Sequence, residues 1–401
     1  MMFRLSLVLV LNSCCAGVPP VPMRQFMDGN LPLVRDFFTE QLKDGDVESS
    51  ALFLNGLAQI EMLQGDLDRA RSHFRQAGQI MCNWATSAVE AFSAIVGSES
   101  SKIWKGDPHE KAMNAYYTGL LYWMAGEHDN ARAAFKSGIL ADAESDEGDA
   151  QVDFALLYWL AGRMSLHMGL ADEAKQYFQE ARDARNFAVE HGARASSNRS
   201  ILNDPADGNL VCLIDLDLAP IKEAGGPHGS LVVLEPRLAE VEDAEIFIDG
   251  DSVGRSELMV DLDYQATTRG GKAMEGIREG KAVLKTVTGV GGAVLLNEGL
   301  KGRGSHRGKK AAIGLGLLAF SLFTRAEADV RSWETLPSSV HALVTDVSPG
   351  MHELRIVFWG IHGEEIPRLS QTWTVDVPEG GEGVYYFRSL PGLDQDEEVL
   401  Q

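Results

Sequence analysis

The sequence predicts an α+β protein: an N-terminal α-helical repeat solenoid, then a β-rich, sandwich-like region with an inserted helix and an apolar hairpin. Two observations carry this. Blocks of about 34 residues recur three times in the first half, with small residues and an aromatic at fixed offsets. After the polar stretch 195–208 the apolar spacing changes from helical to alternating. A third observation sets the location: a short apolar run ends in Leu11-Asn12-Ser13-Cys14.

Arg4 gives that run a positive start, Leu5–Leu11 is apolar apart from Ser6, and the small Ser13 precedes Cys14. The layout resembles the lipobox of a bacterial lipoprotein signal peptide. Residues 1–13 would then be removed and Cys14 would carry the acyl chains. Two buried chains already hold a protein on a bilayer, and a lipoprotein cysteine carries three. Residues 14–23, with Val18-Pro19-Pro20-Val21-Pro22, read as a stiff tether. Cys15 is not Asp, which directs such a protein to the outer membrane, facing the periplasm. The expected setting is the cell envelope, with the membrane reached through the anchor.

A net charge of −22 repels phosphate backbones and excludes nucleic acid as a partner. Apolar residues make up 45% of 401, enough for two or three domains. Cys82 and Cys212 lie far apart, so they form neither a disulfide framework nor a metal site, and their apolar neighbours predict buried thiols. No H-E-x-x-H or C-x-x-C occurs, and no cofactor or metal is expected.

Residues 24–194 form the helical half, with repeats near 51–84, 112–145 and 155–188 and a capping helix within 24–44. An extra helix is expected over Trp84–Val96. The first block runs Leu54, Leu57, Ala58, Gly65-Asp66, Ala70, Phe74, Ala77. The second gives Ala115, Gly119, Tyr122, Gly126-Glu127, Ala131, Phe135, Gly138, and the third Tyr158, Gly162, Gly169, Ala174, Phe178, Ala181. A small residue where two helices cross lets their axes approach, and an aromatic fills the space below. This resembles the tetratricopeptide repeat. Tyr116, Tyr117, Tyr122, Trp123, Tyr158 and Trp159 have two readings: packing between helices, or a groove for a partner peptide or helix.

The β-rich half opens with residues 209–286. In it Gly250-Asp251-Ser252-Val253-Gly254 matches the G-x-S-x-G of a nucleophile elbow, which needs a helix straight after the serine. Strand-like residues Glu257–Leu262 come next instead, and Asp249-Gly250 between apolar strands predicts a hairpin. Asp263–Thr286 reads as a helix. Its Gly276–Ala282 stretch fails as a phosphate loop, with Ala where Ser or Thr must hold magnesium. Residues 287–323 are Gly-rich, basic, then apolar. Ala311–Phe323 spans about 20 Å as a helix, short of a ~30 Å hydrocarbon core. Lys301, Arg303, Arg307, Lys309 and Lys310 put five cations into ten residues and mark a contact for anionic lipid or glycan. Residues 324–390 supply a last β unit, with His341, His352 and His362 expected on strand surfaces or loops. An acidic tail, 391–401, closes the chain.

Lys105-Gly106-Asp107-Pro108-His109-Glu110-Lys111, Leu218-Ala219-Pro220-Ile221-Lys222, the Arg269–Lys285 stretch and Glu327–Pro337 together resemble a family of bacterial lipoproteins. That family carries tetratricopeptide repeats and a β-rich C-terminal part, without an assigned activity. The resemblance implies the architecture and no catalytic residues. The expected function is a scaffold, not an enzyme, that meets other envelope proteins or peptides through its repeats, in cell-wall or outer-membrane assembly. The alternatives are a membrane-active or self-assembling protein using 287–323, and a hydrolase. Oligomeric state stays open.

Overall fold

A computed structural model describes residues 19–82, 103–143, 153–195, 201–225, 231–267 and 329–393. Cys14 and the signal segment, the helix over 84–96, most of the 263–286 helix, and 287–323 with its five cations lie outside the described residues.

Helices α1 (Met23–Met27) and α2 (Leu31–Asp44) precede three helix hairpins: α3/α4 (Ser50–Leu63, Leu67–Met81), α5/α6 (Pro108–Met124, His128–Asp142) and α7/α8 (Ala155–His167, Ala171–Glu190). Each hairpin closes the same way. Gly65, Gly126 and Gly169 take φ of +78°, +72° and +74°, the left-handed region that glycine enters without cost. The following amide then reaches back five residues: Asp66 to Glu61 O, Glu127 to Tyr122 O and Leu170 to Ser165 O, at 2.8–2.9 Å. The crossing is also repeated. A Cβ at Gly119 would run into the Phe135 ring, and one at Gly162 into Phe178. Ala58 holds the matching place above Phe74. These are tetratricopeptide-type hairpins.

Burial separates inner helices from outer ones. Helices α3, α5 and α7 are buried nearly all round, whereas α4, α6 and α8 bury only a stripe such as Ala70, Phe74, Ala77 and Met81. A helix covered on every side needs a second layer against it. That layer is a four-stranded sheet of order β10-β1-β7-β6, formed by Gly383–Arg388, Leu210–Leu216, Ser339–Thr345 and Glu257–Asp261. β1 runs parallel to β10 and antiparallel to β7. Its side chains alternate: Val211 and Leu213 join the helical core, while Leu210, Cys212, Ile214 and Leu216 join a second core. Both faces being covered explains why β1 reads as an apolar run.

The second core is closed by another sheet, β5-β4-β8-β9, from Asp251–Arg255, Val241–Ile248, Gly350–Gly360 and Gln371–Val377. β2 (Ile221–Gly225) and β3 (Leu231–Glu235) form a separate ribbon, and a short helix, α9 (Leu262–Gln265), comes after β6. β4 and β5 turn through Asp249 and Gly250, both at positive φ, so the G-x-S-x-G segment is a hairpin and not an elbow. Two expectations need correction. His341 is buried, because β7 is a central strand. Cys82, at the end of the amphipathic α4, is exposed, whereas Cys212 is buried.

Candidate functional site

The six aromatics do not line an open groove. Tyr116, Tyr117 and Trp159 are wholly buried, Trp123 and Tyr158 nearly so, and Tyr122 partly. The reason is the layer just described, since the chain's own β half covers the inner helices. The groove reading is therefore corrected: these rings are core.

Residues 329–337 lie against helices α3, α4 and α5. Trp333 packs its ring against Phe74 and Tyr117, at 5.9 and 5.7 Å between centroids. Its backbone N–H donates to Glu110 Oε1 at 2.7 Å, and its indole N–H to Gln59 Oε1 at 3.2 Å. Thr335 donates to the same Gln59 oxygen at 2.6 Å. Arg331 reaches Ser49 Oγ, and its carbonyl accepts from Trp104 Nε1. Side chains 331, 333 and 335 all meet the helices, with a turn at Glu334-Thr335 closed by the Leu336 amide on the Trp333 carbonyl.

Two buried polar nodes flank this strap. In the first, Lys222 from β2 places Nζ 2.7 Å from Asp107 and 2.9 Å from Glu110. Pro108 opens α5, and Asp107 and Glu110 form its capping box, so the two acids are fixed by the helix start. Burial alone would push the Lys222 ammonium down, but the carboxylates outweigh it and hold its pKa above the ordinary value. In the second node Asp215 Oδ2 accepts from Tyr117 at 2.5 Å and Tyr386 at 2.7 Å, with Arg388 at 3.3 Å. Burial raises the Asp215 carboxyl, and the arginine and the two hydroxyls oppose it. Gln59 donates to Tyr117, which joins this node to Trp333.

Two serines have side-chain hydrogen-bond partners. Ser256 Oγ lies 3.2 Å from His341 Nδ1, but both are buried. Ser252 is on the exposed β5 edge and donates to Glu245 at 2.7 Å, with no histidine partner among the described residues. At the rim of the interface, Glu382 pairs with Arg163 and lies 2.8 Å from His167, on which His128 stacks. No group of three His, Cys, Asp or Glu among the described residues has the geometry for a metal ion.

One open cleft of about 520 Å³ lies between α2, α3 and α4, lined by Arg35, Thr39, Leu42, Leu57, Glu61, Arg69, Ser72 and His73. His73 Nδ1 is 2.6 Å from the buried Glu61 carboxylate. No motif in the sequence drew attention to these residues.

No family model and no curated protein matches the chain. Among solved structures, it is similar to BtubC (BKLC) from P. vanneervenii at 19% identity and a TM-score of 0.29, over 43% of this chain and 62% of that one. The chain thus spans less than two thirds of that protein's length. MamA stands at 18% identity, TM-score 0.23, over 43% of this chain and 98% of that one. TTC0263, a thermophilic TPR protein of Thermus thermophilus, stands at 16% identity and 0.20, over 42% and 90%. Overlaps this loose carry nothing about partners, and the repeat architecture rests on the three hairpins themselves.

Proposed function

We propose that the chain is a lipid-anchored scaffold of a bacterial cell envelope, held to the outer membrane through Cys14 and docking other envelope proteins in wall or outer-membrane assembly. The observation that carries the scaffold reading is the threefold recurrence of one helix hairpin. Stacked hairpins make extended surfaces suited to protein partners. With the inner helices covered by the chain's own sheet, partner contact falls to the outer helices and the outer sheet. Leu140 stands 67% exposed on α6 and Met351 61% exposed on β8, one on each surface.

A photo-crosslinking residue at each of these positions, in the full acylated chain within its native envelope, tests the reading. Adducts of discrete mass at either position support it. Their absence from both removes it. The anchor is tested separately by Cys14→Ser, which is expected to move the protein from the membrane fraction to the soluble one. Deleting the repeats is a poor test, because it would strip the cover from Trp333 and the first sheet.

A further inference from the structure

The cleft between α2, α3 and α4 holds polar groups that the other two hairpins do without. The bonds closing the turns set Glu61, Tyr122 and Ser165 at equivalent places, and Phe74, Phe135 and Phe178 fix the register of the outer helices. In that register His73 corresponds to Ala134 and Tyr177, Ser72 to Ala133 and Gln176, and Arg69 to Asn130 and Glu173. The hairpin therefore closes without a Glu–His pair. Glu61 is nonetheless only 2% exposed, and a buried carboxylate is costly without a partner. Its partner is His73, so the pair is a feature of this cleft and not of the repeat.

Glu61 fixes the ring it holds. A carboxylate accepts, so Nδ1, 2.6 Å away, carries the proton. Nε2 has no hydrogen-bond partner among the described residues. Neutral, Nε2 accepts; in the charged ring it donates, and a phosphate can meet it either way, through P–OH or P–O⁻. Arg35, from α2, forms no side-chain ion pair among the described residues. Arg69 meets Asp66 at 3.3 Å but stays 60% exposed, with N–H groups to spare. Ser72 accepts from Gln76 at 3.2 Å, which leaves its own proton to give. In a chain of 58 acids against 36 lysines and arginines, this local excess of donors selects an anion. A carboxylate would be satisfied by one arginine fork. Groups at Arg35, Arg69, His73 and Ser72, from two helices, match the three oxygens of a phosphate monoester instead. About 520 Å³ is the room of a small-molecule site, and Leu42 and Leu57 give it an apolar wall.

We propose that this cleft binds a phosphate monoester with a short apolar body. Arg35 and Arg69 neutralise the head from α2 and α4, His73 and Ser72 take its remaining oxygens, and Leu42 and Leu57 receive the apolar part. The same head group occurs on soluble esters and on phosphatidic acid, so the chemistry is shared between a small solute and a lipid. Inorganic phosphate, which lacks the apolar part, is held less tightly.

Calorimetric titration of the full chain with n-butyl phosphate tests this. Saturable binding is expected, weakened about tenfold by Arg35→Gln, the loss of one charge-assisted bond. Glu61→Gln/His73→Ala, which strands no carboxylate, should weaken it comparably, with thermal melting as the check that the hairpin remains folded. Lys175→Gln, at a side chain 79% exposed on α8, should leave binding unchanged. Phosphatidylcholine vesicles doped with phosphatidic acid separate the two sources. Flotation of the Cys14→Ser chain with them, lost in Arg35→Gln, supports the site with a lipid head group as its ligand. Binding of butyl phosphate without flotation supports it with a soluble ester. No saturable binding of either probe would overturn the proposal. So would n-butyrate bound as tightly as butyl phosphate, or binding weakened as much by Lys175→Gln as by Arg35→Gln.

Discussion

Lys222 Nζ lies 2.7 Å from Asp107 Oδ2, joining β2 to the first turn of α5 inside the protein. Glu110, 2.9 Å from the same ammonium, also accepts the Trp333 amide. Three separated sequence stretches, around Asp107, Lys222 and Trp333, thus meet at one point. Each partner offsets the burial cost of the others, and removal of one leaves uncompensated charge. Lys222→Met is expected to cost about 3–5 kcal/mol in urea unfolding. Adding Asp107→Asn should recover part of this loss, because one stranded carboxylate disappears. A double variant less stable than Lys222→Met alone would contradict the account.

Tyr117 and Tyr386 both donate to Asp215 Oδ2 from opposite sides of the interface, one from α5 and one from β10. Hydrogen bonds to a charged group contribute about 1.5–3 kcal/mol each. Tyr117→Phe and Tyr386→Phe should each lose that amount, and together they should not be additive, since both serve one oxygen. Urea midpoints of the two single variants and the double variant check this. Simple additivity would mean that the hydroxyls act independently of Asp215.

These two nodes also mark where the sequence was legible and where it was not. The Gly65, Gly126 and Gly169 turns and their aromatics are local, so a 34-residue period exposes them. The Asp249-Gly250 hairpin is local too. Which face the repeats present, and to what, depends on contacts between residues more than 100 apart, such as Tyr117 with Tyr386. No period reports such a pairing. One signal was available: Asp215 is an acid inside the apolar run Leu210–Leu216, and a charge in a strand covered on both faces demands partners. The same reasoning applies to the aromatics of α5 and α7. Apolar side chains all round a helix predict burial and leave no free face for a groove.

The hairpin crossings give a graded prediction. Gly119 lies inside α5 with the Phe135 ring against it, whereas Gly126 faces open space at φ +72°. Alanine at 119 gains about 1 kcal/mol of helix propensity, so any net loss must come from overpacking, at about 1–3 kcal/mol. Alanine at 126 loses about 1–2 kcal/mol through its left-handed backbone alone. Gly119→Ala/Phe135→Leu should recover much of the first loss and would do nothing for the second. Thermal melts of the three variants decide it.

Asp263 and His341 pull the pH dependence in opposite directions. Burial, opposed by Arg194, raises the Asp263 carboxyl to about 7, which favours the folded chain as pH falls. His341 acts the other way. Burial, with Arg194 and Arg185 nearby, pushes its pKa down to about 3, Asp261 opposing, against an ordinary 6.5. Between those values the unfolded chain binds a proton that the folded chain refuses, so the histidine's contribution to stability falls as pH drops below 6.5. From pH 6.5 to 5 this amounts to about 2 kcal/mol. Burial raises the Glu382 carboxyl, but His167 and Arg163 outweigh it and leave its pKa below the usual value. Its contribution is present above the ordinary carboxylate pKa and lost as pH falls through the lowered one, which adds acid sensitivity at lower pH. Ser256 Oγ lies 3.2 Å from His341 Nδ1, and a glutamine amide, which holds both an acceptor and a donor, can keep this contact. His341→Gln is therefore expected to cost little at pH 7.5 and to gain about 2 kcal/mol on the unsubstituted chain between pH 6.5 and 5. Urea unfolding at pH 7.5, 6.5 and 5 separates the effects. An unchanged slope in the variant would show that the histidine does not set it.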